Sequence, residues 1–123
     1  LALLTKIKRA VENNEDHIVL FGDGKPMRQL MHSRDLAKVI KIMIDQDIHE
    51  SFNVAPEENM TIDAVAKIGL SVTKNEHLKI KYEDSSLAGQ YRKDISTSKM
   101  KSLIADYKFI SLVNGLQEVY ETL

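Results

Sequence analysis

The first dozen residues place Leu3, Leu4, Ile7, Ala10 and Val11 at helical spacing, with Thr5, Lys6, Lys8, Arg9 and Glu12 between them. That pattern predicts a surface helix with one dry side. The polar run Asn13-Asn14-Glu15-Asp16 ends it. Ile18 to Phe21 is short and apolar enough for a buried strand, and Gly22-Asp23-Gly24-Lys25-Pro26 reads as a turn before a second extended run, Arg28 to His32. Side chains alternate along a strand, so Arg28 and Leu30 are expected to face away from Gln29 and Met31.

A strong helix signal follows. Ser33 is placed to cap it, and Asp35 complements the positive end of its dipole. Leu36, Val39, Ile40, Met43 and Ile44 share one face, opposite Lys38, Lys41 and Asp45. Phe52-Asn53-Val54 predicts a brief strand ending near Pro56, and Thr61 caps another helix carrying Ile62, Val65, Ala66, Ile68 and Val72. Leu78, Ile80 and Tyr82 alternate with Lys79 and Lys81, the mark of a strand with one wet side. Glu83 to Gln90 reads as a polar loop. Ser96 or Thr97 caps a short helix with Met100, Leu103 and Ile104, and Leu112, Val113, Leu116, Tyr120 and Leu123 predict a terminal amphipathic helix.

The elements alternate without an internal repeat, so the expected class is mixed α/β, with residues 1–123 forming a single domain. A hydrophobic share of 43% supports a core. With no Cys there is neither a disulfide nor a thiolate nucleophile, which fits a cytoplasmic setting. Lys and Arg number 17 against 18 Asp and Glu, a balance that argues against a nucleic-acid binder. No apolar run exceeds four residues, far short of the ~20 a membrane helix needs. The chain enters its amphipathic pattern directly at Leu1 without a signal-peptide layout, and reads as a piece of a longer protein.

Several chemistries lack their residues. His17, His32, His49 and His77 are scattered, and no metal-ligand spacing is present. Neither Gly-x-Ser-x-Gly nor a phosphate loop occurs. The acidic pairs Asp45/Asp47, Glu57/Glu58 and Glu83/Asp84 fall in polar loops or helix ends, without the apolar pocket that raises a carboxyl pKa. Gly22-x-Gly24 lacks the third glycine and the following helix of a dinucleotide fingerprint.

Two segments do concentrate cations beside flexible backbone: Phe21-Gly22-Asp23-Gly24-Lys25-Pro26-Met27-Arg28 and Gly89-Gln90-Tyr91-Arg92-Lys93. A guanidinium offers phosphate a planar fork, and lysine adds a mobile point charge. Together they suit a diphosphate; separately they are also what a tight turn and a charged loop look like.

The stretch from Phe21 to Ala37 resembles the aromatic-Gly-x-Gly-x-x-x-Arg-x-Phe-x-His-Val-x-Asp-x-Ala stretch of the extended short-chain dehydrogenase/reductase family of nucleotide-sugar epimerases, dehydratases and reductases. Leu87-Ala88-Gly89-Gln90-Tyr91-Arg92-Lys93 matches part of a Pro-Asp-Gly-x-x-Arg-Lys segment, and Phe52-Asn53-Val54 and Thr61 to Ala66 fall where such enzymes have a strand and a helix. The resemblance implies the substrate-binding C-terminal part of such an enzyme, with the Rossmann portion absent. It further implies that Arg28 holds the diphosphate, that Arg92 and Lys93 contact phosphate or ribose, and that Phe21 lines the nucleotide site in place of Trp. His32 to Asp35 would fix the junction into the helix. Leu87-Ala88 and Leu30 depart from the pattern.

The family's Gly-x-x-Gly-x-x-Gly and Tyr-x-x-x-Lys are missing: Tyr82, Tyr91 and Tyr107 are followed four places on by Ser86, Ile95 and Ser111, and Tyr120 by nothing. No catalytic residue and no cofactor site are therefore expected here; NADP or NAD would bind the intact enzyme, and this chain alone would be inert. The expected partners are a nucleotide sugar and the missing Rossmann domain. The alternative is a stand-alone, non-enzymatic module that binds nucleotide diphosphates or self-associates as a homo-oligomer through its apolar faces.

Overall fold

The computed structural model describes residues 2–83 and 90–123. In chain order the elements are α1 (Ala2–Glu12), β1 (His17–Phe21), β2 (Met27–Arg28), α2 (Ser33–Asp45), β3 (Met60–Thr61), α3 (Ile62–Val72), β4 (Lys79–Glu83), α4 (Ser98–Leu103) and α5 (Leu112–Glu121), a small mixed α/β fold. Seven of the nine segments that the sequence predicts appear within a residue or two of their expected places; the runs Arg28 to His32 and Phe52-Asn53-Val54 do not.

The first core forms around α1 and β1. Leu4, Ile7 and Ala10 are the buried stripe of α1, and Ile18 and Leu20 the buried alternation of β1. β1 pairs in parallel with β4, from His17 opposite Lys79 to Phe21 opposite Glu83. Strands paired in parallel need a long crossover, and everything from β2 through α3 supplies it. Leu70 of α3 and Leu78 join the cluster, against which α5 lays Leu116, Val119 and Tyr120. Val11, expected on the dry face of α1, is 41% exposed because it lies at the edge of that stripe.

The second core gathers Val39 of α2 with Met100 and Ile104, flanked by Ile42, Met43, Phe52 and Val54. Here expectation and structure diverge. Of the predicted face of α2 only Val39 is fully buried; Leu36, Ile40 and Ile44 look outward. Of the run Arg28 to His32 only Arg28 joins a strand, β2, antiparallel to β3, because β3 begins at Met60, opposite Arg28, and leaves Gln29 onward without a ladder partner among the described residues. Phe52-Asn53-Val54 forms no strand among the described residues.

Caps follow the sequence closely but not fully. Thr61 Oγ1 accepts from the Ala64 amide at 3.0 Å and Ser111 Oγ from the Asn114 amide at 3.2 Å. For α2 the cap is His32, whose Nδ1 accepts from the Arg34 amide at 3.2 Å, one residue before the expected Ser33. Thr97 occupies the cap position of α4 but makes no side-chain cap bond. At the other ends, α1, α2 and α3 stop by one device: Asn14, Asp47 and Lys74 take positive φ, and the amides of Glu15, Ile48 and Asn75 bond back to Ala10, Met43 and Leu70. This is the Schellman closure in which glycine is usual.

Two buried polar links tie the parts together. Asp35 is wholly buried; its carboxylate accepts from the Tyr107 hydroxyl at 2.9 Å and the Ile110 amide at 3.1 Å. Burial, followed by this hydrogen bond, pushes the Tyr107 phenol up to about 12. In the other, Tyr82 donates to Asp63 at 2.6 Å, and Lys67 closes the cluster at 2.8 Å. The Lys67 contact and then the tyrosine hydroxyl hold the Asp63 carboxyl below its usual range, while burial and Asp63 push the Tyr82 phenol up. The Tyr82 ring packs so closely on Gly24 that a Cβ there would lie 2.6 Å from it, and Gly24 has φ +73°. Both facts require glycine at this turn.

Candidate functional site

The two cationic segments meet through their backbones. The Met27 amide donates to Tyr91 O at 2.8 Å, and Met27 bridges in parallel with Arg92. Arg28 reinforces the junction: its Nη1 donates to Met27 O at 2.6 Å and to Gln90 O at 3.0 Å. These bonds engage one nitrogen of the guanidinium. Two residues later in the second segment, Arg92 Nε pairs with Asp94 at 2.5 Å, and Lys93 is exposed.

Alternation then sends neighbouring side chains to different clefts. Arg28 and Leu30 border a cleft of about 270 Å³ with Glu58, Met60 and Ile110. Gln29 and Arg92 border a second, polar cleft of about 350 Å³ with Asn59, Asp94 and Lys101. The expected opposition of Arg28 and Leu30 to Gln29 and Met31 thus holds for Gln29 but not for Met31, which shares a cleft with Leu30, and it separates the two arginine side chains although their backbones are linked. Phe21 stands apart from this junction at the end of β1, 66% exposed, with the Lys6 ammonium 4.7 Å from its ring centre. Lys6 also donates to Val19 O at 2.7 Å. Leu87, Ala88 and Gly89 of the second segment lie outside the described residues.

Gln29, Asn59 and Asp94 are site-forming residues that sequence reasoning missed. Gln29 clamps the chain at Ile95, accepting from its amide at 2.7 Å while donating to Pro56 O at 2.8 Å. Asn59 donates to Asp94 and keeps a buried Oδ1 without a partner among the described residues. The alternation that placed Arg28 on one side put Gln29 on the other, and only that signal pointed to it.

The glycine turn after β1 does not build the cradle of a nicotinamide dinucleotide. The glycine turn after β1 leads into β2 rather than a helix, and its Gly24 is covered by the Tyr82 ring. Helix N-termini following a glycine-rich turn are what cradle such a pyrophosphate.

Residues 2–55 match the model of the NAD dependent epimerase/dehydratase family. The GDP-L-fucose synthase of Dictyostelium discoideum is 32% identical over 121 residues, covering 94% of this chain and 37% of that protein. The crystal structure of a GDP-L-fucose synthetase from Naegleria fowleri superposes with a TM-score of 0.86 at 24% identity, covering 98% of this chain and 38% of that one. The same protein bound to NADP gives 0.84 at 22% identity, with 97% and 36% covered. UDP-N-acetylglucosamine 4-epimerase from Methanobrevibacter ruminantium, in complex with UDP-N-acetylmuramic acid, gives 0.73 at 21% identity, with 98% and 39% covered. The chain therefore spans a little over a third of the relatives it matches, and the structural likenesses carry the fold. Residues 2–55 thus resemble the NAD dependent epimerase/dehydratase family, and the likeness to the GDP-L-fucose synthase of Dictyostelium discoideum runs along nearly the whole chain.

Proposed function

We propose that this chain is the nucleotide-sugar-binding part of an NAD(P)-dependent epimerase/reductase of the GDP-L-fucose synthase kind, acting in the cytoplasm, with the cofactor site and catalytic Tyr-x-x-x-Lys supplied by a further portion. The observation that supports it most is the backbone interlock of Met27-Arg28 with Gln90-Tyr91-Arg92, which sets two guanidinium groups on one junction. Carbonyls hold Arg28 through Nη1, and among the described residues its other nitrogens are left for a phosphate fork. Arg92 is held by Asp94 and turns toward the polar cleft, and Lys93 adds a mobile charge. A ligand spanning both clefts would therefore meet Arg28 and Arg92 at different phosphate or ribose oxygens. Phe21 offers an exposed ring face to a base.

Redox chemistry at the sugar needs a nicotinamide and a phenol beside a lysine, and no tyrosine here has a lysine four residues on. The role of this part is to bind and orient. Calorimetric titration of the chain with GDP, UDP and dTDP tests it, comparing the parent with Arg28→Ala and Arg92→Ala. Loss of a charge-assisted phosphate contact is expected to weaken binding by about 1.5–3 kcal/mol, one to two orders of magnitude in Kd. Nucleotide binding that is identical in all three proteins overturns the assignment of these arginines.

A further inference from the structure

Arg28 and Arg92 are held by different means. Arg28 is part of β2, whereas Arg92 opens onto a run, 93–97, that is neither helix nor strand before α4 begins. Side chains fix that run. At its middle, Ile95 has no backbone partner among the described residues; its amide donates to Gln29 Oε1 at 2.7 Å and its carbonyl accepts from Gln29 Nε2 at 3.4 Å. The same Nε2 donates to Pro56 O at 2.8 Å. Gln29 therefore uses its side-chain amide as a peptide group, continuing the contact that the Met27 amide begins at Tyr91 O. From Ile95 the hold passes to its neighbour Asp94, which accepts from Asn59 and from Arg92 Nε at 2.5 Å. Gln29 and Asn59 thus pin 94–95 against 56–59 at two adjacent points. Asp94 takes Arg92 through Nε, which leaves the two terminal nitrogens of that guanidinium without a partner among the described residues.

We propose that Gln29 is the positioning residue for Arg92. One extended stretch then sets both guanidinium groups, carrying Arg28 directly and holding Arg92 through the side chain next door, and so fixes their spacing for the oxygens of a nucleoside diphosphate. The inference rests on the reading of Arg92 as a phosphate or ribose contact. An amide suits the position because it donates and accepts at once: the Ile95 amide needs an acceptor, and the Pro56 and Ile95 carbonyls need a donor. A neutral group also suits it. Arg92 with Asp94 and Lys101 with Glu57 already pair off the charges that border this cleft. Gln29 itself needs no contact with the ligand; it acts through Arg92.

The test is a double-mutant cycle on the chain, read by calorimetric titration with GDP and by amide hydrogen exchange. Gln29→Ala is expected to weaken GDP binding by about three- to tenfold in the parent, and by less than about twofold once Arg92→Ala is present. On top of Arg28→Ala the same step keeps its full size, because Arg28 is held by carbonyls and not by Gln29. The Ile95 amide is expected to exchange at least about tenfold faster in Gln29→Ala while the Met27 amide keeps its protection. Gln29→Met, which preserves the length of the side chain and removes both hydrogen-bonding functions, is expected to repeat this pattern and carries the test if Gln29→Ala does not fold. A residue with a merely structural role would weaken binding by the same factor with and without Arg92, and that outcome overturns the proposal. So do undiminished GDP affinity in the Gln29 variants and an unchanged Ile95 exchange rate. If Arg92→Ala weakens binding and the Gln29 variants do not, the binding reading stands and the proposal alone falls; if the parent does not bind GDP, or Arg92→Ala binds it as the parent does, that reading falls and takes the proposal with it.

Discussion

The two cores of this molecule begin from the same kind of sequence and end differently. Around α1, an amphipathic helix meets a parallel strand pair, α3 and α5, and Leu4, Ile7, Ile18 and Leu78 are enclosed from all sides. Around α2, an equally clear stripe meets α4 and irregular chain, so Val39 is enclosed while Leu36, Ile40 and Ile44 are not. A hydrophobic stripe states that a surface wants covering. Whether it is covered depends on how many partners the chain brings to it.

The sharpest way to break the contrast is a cavity in the first core. Leu4→Ala or Ile7→Ala, both wholly buried, is expected to cost about 2–5 kcal/mol, read as a lower urea midpoint. Asp35→Ala comes next: it strands the Ile110 amide and leaves the Tyr107 hydroxyl only the longer bond to the Asp35 carbonyl, where α2 meets the approach to α5, and a loss of about 1.5–3 kcal/mol is expected in the same assay. If Asp35→Ala proved neutral, the second core would not depend on that link.

A pH series isolates the same link. The Tyr107 phenol titrates near 10 when unfolded and about 12 when folded, so the fold prefers its neutral form. Its stabilisation is complete below pH 10 and disappears as pH rises from 10 through 12. Tyr107→Phe is expected to flatten that part of the stability profile; Tyr82, displaced in the same direction, governs what remains. Smaller still, Lys74→Gly is expected to stabilise by up to about 1 kcal/mol, because glycine tolerates the positive φ that closes α3. At the bottom of the scale, Ile40→Ala is expected to stay within about 0.5 kcal/mol in thermal melts of the chain.

Much of the fold was legible because its longer elements are written in local patterns. The stripe of α1, the alternation of Leu78, Ile80 and Tyr82, and the cap at Thr61 each depend on residues a few positions apart. The short strands were not, since β2 ends at Arg28 opposite Met60, where β3 begins, a fact set some thirty residues away from Arg28. The candidate site divides the same way. Arg28, Arg92 and Lys93 stood out by charge beside glycine and Gln29 only by alternation, but Asp94 and Asn59 carry no local mark, and all three uncharged or acidic residues become site residues only when 27–29 and 90–95 lie side by side.

The sequence alone determined the class of the fold, the apolar stripes of its helices and strands, and the cationic side chains available for a phosphate, because each follows from spacing and side-chain chemistry. Tertiary structure decided which apolar faces found partners, which arginine turned to which cleft, and that Asp35 would be buried against Tyr107. Those outcomes depend on contacts between residues far apart in the chain, and no local pattern encodes the distance between them.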